Sequence, residues 1–310
     1  MPAHHTARTA PPAAVPRRGG QRAARVREAV TGYAFLAPSV LGVLLFMVVP
    51  VGVIVWLAFH KWDLISSPEF VGLSQITDTL GDPEFRSSIG ITLGLVVLVV
   101  PVQIVLGLAL ANMLTKGVRG TNVLRALIVI PWISSPLALG VVWSWLLAPT
   151  GGVLSTIAGH RLEILVSDTW ALPAVAFVVI WNQVGYTSLF FIAGLLSIPS
   201  ELIEAAWVDG ASPSQIFWRI KVPLLRPTFF FVSVTSVIAA FNVFDQVYAL
   251  TGGGPDGKTS VLAYQIYSTA FVDWNIGKAS VMALVMFLIL LAITLAQNLY
   301  FRRRTTYELV

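Results

Sequence analysis

The sequence predicts an all-α integral membrane protein with six transmembrane helices, and three observations carry this prediction. Hydrophobic residues make up 56% of the 310 residues and the mean hydropathy is +0.80, whereas soluble globular chains contain about 45 to 50%. Several stretches lack Asp, Glu, Lys and Arg altogether, and each exceeds the roughly 17 apolar residues that a bilayer crossing needs at minimum. The basic residues, finally, are concentrated in alternate connections.

The predicted spans follow from the stretches without charged residues. These stretches separate, in chain order, Glu28 from Lys61, Arg86 from Lys116, Arg125 from Arg161, Asp168 from Glu201, Arg226 from Asp245, and Lys278 from Arg302. We predict one transmembrane domain over 29–304, with spans near 33–59, 88–112, 122–147, 170–196, 227–249 and 279–301. Pro131 and Pro136 each remove a helix hydrogen bond and are expected to bend the third span, although membrane helices also tolerate prolines without a functional reason.

Both chain ends are predicted to be cytoplasmic. Residues 1–28 contain six arginines and Glu28 as the one acid, so we predict a disordered basic tail there. Such a composition is also typical of an organelle transit peptide, but no small-residue cleavage site precedes the first span. Of the 20 Lys and Arg residues, 15 lie in this tail, in the second and fourth connections, and after the sixth span. The positive-inside rule therefore orients both ends, including a short tail at 305–310, toward the cytoplasm.

A polar segment after the fourth span predicts a helix-turn-helix elbow. Gly210 can take the left-handed conformation that ends a helix. Ser212 and Gln215 have capping-box spacing, with Pro213 at the first helical position, so a second helix is expected to start there. It should run to about Lys221, because a proline follows two residues later.

The same segment resembles the EAA loop of permease subunits of binding-protein-dependent ABC importers. The resemblance rests on Glu204, Ala205, Ala206, Asp209, Gly210, Ile220 and Pro223. Val222 stands where the family usually has Leu, which is a conservative departure. The resemblance implies that residues 198–226 form a cytoplasmic loop that docks into a cleft of the ATPase subunit, with Glu204 supplying a charged contact and Gly210 the turn. An ordinary cytoplasmic loop with good caps is the alternative.

Further segments resemble carbohydrate-type permeases of the maltose and glycerol-phosphate kind. They are KWDLIS at 61–66, EFVGLSQ at 69–75, DPEF at 82–85, IPWISSP at 130–136, VVWSWL at 141–146 and FNVFDQVYALTGGGP at 241–255. The resemblance implies a multi-pass protein of the bacterial inner membrane that pairs with a second permease, a dimeric ABC ATPase and an extracytoplasmic sugar-binding protein. The ATPase would bind ATP and Mg²⁺, whereas this chain is expected to bind no cofactor and to be no enzyme. A sugar or sugar derivative is the implied substrate, with glycerol phosphate as the alternative.

Polar residues near the bilayer midplane are the candidate substrate path. At about 1.5 Å per residue, Ser236 lies roughly 14 Å and Asn242 roughly 22 Å from the cytoplasmic end of the fifth span. The same arithmetic places a group from the fourth span close to the midplane, namely Gln183, Gly185, Tyr186 and Ser188. Such groups also join helices to each other, for about 0.6 kcal/mol per hydrogen bond, and the sequence leaves both interpretations open. In maltose-type permeases the sugar contacts come from these two spans, and the resemblance favours the group as a whole.

Asp245 is the one acid within a predicted span. It lies roughly 27 Å from the cytoplasmic end, close to the outer interface, where a charge costs far less than at the helix centre. We predict a structural or gating role for Asp245 and for the turn formed by Gly252, Gly253 and Gly254.

Other classes of protein are disfavoured by what the sequence lacks. No Gly-rich P-loop with a following Lys-Ser/Thr is present, so the chain itself is not expected to bind ATP. The histidines, His4, His5, His60 and His160, lie in a tail and in outer loops without metal-binding spacing. An intramembrane enzyme would need catalytic groups at matching depth, and a solitary ion-coupled carrier would need paired intramembrane charges, of which only Asp245 is available. The basic N-terminal cluster is more typical of contact with anionic lipid than with nucleic acid.

Overall fold

The computed structural model describes residues 18–115 and 120–302 of the chain. The helices are α1 (Arg18–Val43), α2 (Val49–Leu57), α3 (Ser74–Gly81), α4 (Pro83–Leu114), α5 (Thr121–Ile133), α6 (Pro136–Leu146), α7 (Val153–Ala158), α8 (Ala171–Leu196), α9 (Ser200–Val208), α10 (Pro213–Ile216), α11 (Val222–Leu224), α12 (Arg226–Phe241), α13 (Asp245–Leu250), α14 (Leu262–Tyr267) and α15 (Ile276–Arg302). Five-residue π-helical turns occupy Leu44–Val48, Phe217–Lys221 and Ser268–Val272. One short antiparallel hairpin pairs β1 (His60–Lys61) with β2 (Glu69–Phe70). The predicted all-α class is confirmed, and the predicted C-terminal tail at 305–310 lies outside the described residues.

The first of two compact units ends at Val53. Its described part contains α1, the π-helical turn that follows it, and the start of α2. The structure differs from the predicted disordered tail, because the helix already begins at Arg18. Ala, Arg, Gln and Glu are good helix formers, and a helix nucleated in the apolar stretch propagates readily into them. The rest of the predicted tail, residues 1–17, lies outside the described residues.

Four helical stretches are long and apolar enough to cross a membrane unbroken. They are Val30–Leu57, Pro83–Leu114, Ala171–Leu196 and Ile276–Phe301. Two bent pairs of helices pass the same test together, so the described residues contain up to six spans if each pair counts as one.

The third predicted span is broken rather than merely bent. α5 and α6 meet at an angle of 94°. Ser134 between them is extended, and the Ser135 hydroxyl accepts a hydrogen bond from the Ala138 amide while Pro136 opens α6. A serine cap followed by proline is a strong helix start, so the chain begins a new helix here instead of continuing the old one.

The fifth predicted span is also interrupted. α12 ends at Phe241 and α13 begins at Asp245. The predicted depth of Asp245 assumed one continuous helix and therefore does not hold, whereas α12 is continuous up to its C-cap Asn242. α13 packs against α6, and a Cβ added at Gly140 would lie only 2.7 Å from the Cβ of Ala249. The missing side chain at position 140 thus allows the two short helices that follow the breaks to contact each other closely.

α4 is the central helix of the second unit, Ile54–Val310. It contributes to three buried apolar clusters, which pack it against α8 and α13, against α12 and α15, and against α8 and α12. Burying a large apolar side chain contributes about 1.5 to 3 kcal/mol relative to exposure. The α4 members of these clusters are Leu95 and Val99, then Phe85 and Val100, then Leu108, Ala111 and Leu114.

Candidate functional site

The elbow begins with α9, which ends in the predicted left-handed turn. Gly210 has a φ of +76°. The Gly210 amide donates to the Trp207 carbonyl at 3.0 Å, and the Ala211 amide donates to the Ala206 carbonyl at 2.9 Å. These two bonds form a Schellman motif, which satisfies carbonyls left free at a helix end. A residue with a Cβ at position 210 would strain the turn by roughly 1 to 2 kcal/mol.

The second half of the elbow begins with the predicted capping box. The Gln215 amide donates to Ser212 Oγ at 3.3 Å, and the Ser212 amide donates to Gln215 Oε1 at 2.7 Å. The prediction that Pro223 stops this helix is wrong, because the helix continues through the π-helical turn at Phe217–Lys221 and ends at Leu224. The widened turn replaces the usual i to i−4 bonding, so a residue without an amide proton is accommodated directly after it.

The elbow presents an exposed apolar surface beside two acids. Val208, Trp207 and Trp218 are 88%, 52% and 64% exposed. Glu204 and Asp209 are exposed on the same short segment. Exposed apolar groups clustered in this way are typical of a surface that a partner covers. Of the other motif residues, Ala205 and Gly210 are exposed. The remaining three are half-buried, namely Ala206, Ile220 and Pro223.

The base of the elbow is packed into the helix bundle. Ile216 and Leu225 are 3% and 1% exposed. Leu225 shares a buried cluster with Leu114 of α4 and Phe191 of α8. Because packed interiors are nearly incompressible, a displacement of the elbow would be transmitted to both long helices.

Three of the predicted path residues lie inside contacts between helices. Gly185, Ser188 and Ser236 are buried. A Cβ at Gly185 would come within 1.8 Å of the Ile128 carbonyl oxygen, so the backbones of α5 and α8 touch here. The Ser188 hydroxyl donates to the Gly185 carbonyl at 2.7 Å, and Ser236 Oγ accepts from Gln103 Nε2 at 3.3 Å. Gly185 and Ser236 thus contribute to contacts between helices, and the Ser188 hydroxyl is bonded within α8.

Two polar residues that sequence analysis did not single out connect the helices. Asn182 Nδ2 donates to the Pro131 carbonyl at 2.6 Å. This carbonyl lies in the last turn of α5, where no intrahelical partner follows and hydrocarbon offers none. Gln103 Nε2 donates to Thr187 Oγ1 at 2.6 Å and joins α4 to α8. The prolines of the third span indicate that a free carbonyl such as that of Pro131 needs a hydrogen-bond donor. Which residue provides the donor depends on how the helices pack.

An aromatic strip crosses α5, α8 and α12. It consists of Trp132, Tyr186, Phe190 and Phe231, whose successive ring centroids are 4.5, 4.8 and 4.8 Å apart. Trp132 and Phe231 are 41% and 44% exposed. Gln183 lies one helical turn from Tyr186, on the same face of α8. The predicted path residues Gln183 and Tyr186 therefore share a partly exposed surface with aromatic rings.

Asn242 and Asp245 lie on either side of the break between α12 and α13. Asn242 is exposed, and its side-chain amide donates to the Ile238 carbonyl at 2.8 Å. Asp245 is half-buried in the first turn of α13, where negative charge is favoured by the free amides of the turn. Asn242 thus stays accessible at the break, while Asp245 suits the start of the short helix.

The glycine turn after α13 is a packed loop. Gly252 and Gly253 have φ values of +56° and +82°. A Cβ at Gly253 would lie 2.6 Å from the Tyr264 ring. The Thr259 hydroxyl donates to the Gly254 carbonyl at 2.6 Å. These contacts suit the structural role that we predicted for the turn.

Comparison with known proteins matches residues 103–306 to a family described as "Binding-protein-dependent transport system inner membrane component". Two curated relatives carry the name sn-glycerol-3-phosphate transport system permease protein UgpA. The protein from Agrobacterium fabrum is 33% identical over 280 residues, which covers 89% of this chain and 96% of the relative. The protein from Brucella abortus is 32% identical over 281 residues, with the same coverage of 89% and 96%.

Two solved structures share the fold. A bacterial ABC transporter involved in the import of the acidic polysaccharide alginate superposes with a TM-score of 0.80 at 23% identity, covering 92% of this chain and 100% of that chain. The bacterial alginate transporter in complex with an alginate pentasaccharide-bound periplasmic protein gives 0.79 at 23% identity, covering 90% and 96%. At this identity the similarity concerns the fold.

Proposed function

We propose a function that starts from one established fact: the chain belongs to the family of binding-protein-dependent transport system inner membrane components. It is therefore a permease subunit of an ABC importer, and subunits of this kind are non-catalytic. We place it in the bacterial inner membrane with both ends in the cytoplasm. Its partners in this proposal are a second permease, a dimeric ATPase and an extracytoplasmic binding protein.

The elbow is the proposed contact with the ATPase. The observation that carries this proposal is the exposed surface of Trp207, Val208 and Trp218 next to Glu204, on a segment whose base is buried in the bundle. Apolar groups and a carboxylate together can dock into a cleft and fix the register of docking. The motif residues Glu204 to Pro223 act here as one rigid unit.

The proposed coupling is mechanical. ATP and Mg²⁺ bind to the partner ATPase, and closure of the ATPase dimer displaces the elbow. Through Leu225 the displacement reaches α4, α8 and α12, and it changes which side of the membrane the path opens to. The breaks after Ile133 and Phe241 divide the third and fifth spans into segments that can move separately.

The aromatic strip, together with Gln183 and Asn242, is the proposed path surface of this subunit. Ligand sites are mostly apolar and aromatic with a few polar groups that set orientation. A sugar presents C–H faces that suit the rings of Trp132 and Tyr186, and hydroxyls that suit the two amides. We therefore propose a sugar or a sugar derivative as the substrate.

Glycerol 3-phosphate is the second candidate substrate. The observation that favours it is the name of the curated relatives, which match nearly the whole length of this chain at 32% to 33% identity. A phosphate ester is an anion, so this candidate predicts that cationic groups of the partner subunits complete the path.

Affinity purification tests the subunit assignment. The tagged chain is extracted in mild detergent from its own cells, and the eluate is assayed for ATP hydrolysis. We expect an ATPase in the wild-type eluate, loss of it with Glu204→Lys, and retention of it with the control Asp168→Lys in an outer connection. Absence of any ATPase from the wild-type eluate would favour a solitary carrier.

Uptake into proteoliposomes that contain the complete transporter and its binding protein distinguishes the two substrates. Labelled disaccharides and labelled sn-glycerol 3-phosphate are supplied separately, each with and without ATP inside. ATP-dependent uptake of a sugar supports the first candidate. ATP-dependent uptake of the phosphate ester alone supports the second.

A further inference from the structure

An open cleft lies between the β1–β2 hairpin and the start of α15. Its volume is about 730 Å³. In the orientation proposed above it faces the extracytoplasmic side, because the hairpin follows the first span. The residues that matter for its chemistry are Lys61, Trp62, Asp63, Glu69, Asp273 and Trp274.

The walls of this cleft are held firmly against each other. The Ile276 amide donates to the Trp62 carbonyl at 3.0 Å, which ties the hairpin to α15. A Cβ at Gly277 would lie 2.1 Å from the His60 carbonyl oxygen, so the hairpin rests directly on the first turn of that helix. An ion pair between Asp82 and Lys278 joins α4 to α15 next to it. The cleft is therefore preformed.

The cleft has an excess of negative charge. Lys61 lies opposite Glu69 in the strand register, so these two charges offset each other. Asp63 and Asp273 add two carboxylates, and none of the three acids forms an ion pair among the described residues. The Ser66 hydroxyl, then the Ser66 and Ile65 amides, lower the pKa of Asp63 to about 2 by hydrogen bonding. All three bonds reach Oδ1, so Oδ2 stays available to a partner.

The position of Asp273 and the backbone conformation of Trp274 are both unfavourable for the stability of the chain by itself. Asp273 follows the helical segment 262–272, and a carboxylate at this end of a helix is disfavoured by the free carbonyls. Trp274 has a φ of +55°, a conformation rare for an aromatic residue, and is 52% exposed. An exposed tryptophan held in a strained conformation beside an unpaired carboxylate indicates a contact outside this chain.

The chemistry of the cleft selects a cationic side chain. Carboxylates form charge-assisted hydrogen bonds with guanidinium and ammonium groups, and indole faces attract the same cations. A metal ion is disfavoured, since the described residues contain no group of three side chains that could hold one. Anionic lipid is disfavoured by like charge. Ile65 and Phe70, on the same hairpin, are 85% and 71% exposed, and exposed apolar side chains beside charged ones are typical of protein interfaces.

We propose that this cleft receives an Arg or Lys side chain of the extracytoplasmic binding protein. The inference rests on the proposed function, because a transporter of this family receives its substrate from such a protein. It adds a defined acidic point of attachment on this subunit, formed by Asp63 and Asp273 between two tryptophans.

The test measures the concentration of binding protein that stimulates ATP hydrolysis half-maximally. The binding protein is first identified by cross-linking it to the transporter in intact cells. It is then purified and added to the complete transporter, which is reconstituted in lipid nanodiscs. The double substitution Asp63→Asn and Asp273→Asn keeps the Oδ1 acceptors but removes both charges. We expect the half-maximal concentration to rise about tenfold, with an unchanged maximal rate and a weaker dependence on salt.

Asp78→Asn is the matched control, because it removes one exposed acid of α3 on the same side of the chain but outside the cleft. It should leave the half-maximal concentration unchanged. Asp273→Lys should weaken docking further, and an Arg→Asp or Lys→Asp substitution in the binding protein should restore it, which would identify the inserted side chain.

Three results would overturn the inference in distinguishable ways. If the binding protein stimulates the wild type and the double variant equally, the cleft is not its docking point, while the proposed function stands. If it stimulates neither, the proposed function fails and the inference fails with it. Rescue of the double variant by saturating free sugar would instead assign the cleft to sugar.

Discussion

The elbow holds its shape through bonds between near neighbours in sequence, whereas the path region depends on contacts between distant helices. In the elbow, Ala211 bonds to Ala206, and Ser212 and Gln215 bond to each other. In the path region, Asn182 bonds to Pro131 and Gln103 bonds to Thr187.

The two regions are therefore expected to respond differently to substitutions. A locally bonded segment can move as one piece, which suits a part that transmits force. A region bonded across helices has its geometry set jointly by several spans, so a single altered residue shifts more than one helix.

Gly185→Ala should have the largest effect on stability. The added Cβ would meet the Ile128 carbonyl oxygen at 1.8 Å, and backbone cannot yield as a side chain does. We expect the free energy of unfolding in mixed micelles to fall by about 3 kcal/mol. Gly94→Ala is the control, since a Cβ there meets nothing within 4 Å. Equal unfolding energies for the two variants would refute the close contact of α5 and α8.

Asn182→Leu should destabilise by about 2 kcal/mol. It leaves the Pro131 carbonyl without a donor in a membrane environment. Gln183→Leu changes the neighbouring amide, for which we expect little change in unfolding energy but weaker substrate uptake. Thermal unfolding in detergent and an uptake assay on both variants distinguish a structural role of Asn182 from a substrate role of Gln183. Loss of stability with Gln183→Leu and loss of uptake alone with Asn182→Leu would reverse this assignment.

Gly210→Val should reduce transport without unfolding the bundle. The turn at φ +76° is strained by roughly 1 to 2 kcal/mol in a residue with a Cβ, which lowers the ratio of native to rearranged elbow about 5- to 30-fold. ATP-dependent uptake should fall, at most by this factor, while helix content is retained. Gly257→Val, at φ +72° in an outer loop, is the control with similar strain. A similar loss of uptake in both variants would show that transport does not depend specifically on the elbow turn.

Ser236→Ala should have the smallest effect, about 0.6 kcal/mol or less. Gln103 Nε2 keeps its shorter bond to Thr187 when the 3.3 Å contact to Ser236 is lost. Substrate affinity should also be unchanged, because the serine is buried between helices. A marked loss of affinity in an uptake titration would indicate that Ser236 contacts the substrate.

The sequence predicted the elbow well because its determinants are local. Gly210 and the pair Ser212 and Gln215 act within one or two turns, and their conformations are as predicted. The exception is Pro223, which the π-helical turn before it accommodates. A proline rule that assumes regular α-helical bonding has no means of anticipating a widened turn.

The burial and partners of the candidate path residues could not be predicted, because depth along a helix does not determine which way a side chain points. Ser236 contacts Gln103 of α4 and Ser188 is bonded within α8, whereas Tyr186 lies on a partly exposed surface. Asn182 was missed because the carbonyl that it satisfies exists only where α5 ends. Such a partner depends on the packing of two spans, which one sequence does not specify.

Photo-cross-linking from a single cysteine tests whether the elbow contacts the ATPase. The chain has no cysteine, so Val208→Cys, at an 88% exposed position of the elbow, introduces one thiol for benzophenone-maleimide. Illumination of the assembled, transport-active complex should yield an adduct with the mass of this chain plus the ATPase, identified by mass spectrometry. Asp78→Cys, treated in the same way, should capture no ATPase. An active complex in which Val208→Cys captures no ATPase would contradict the account.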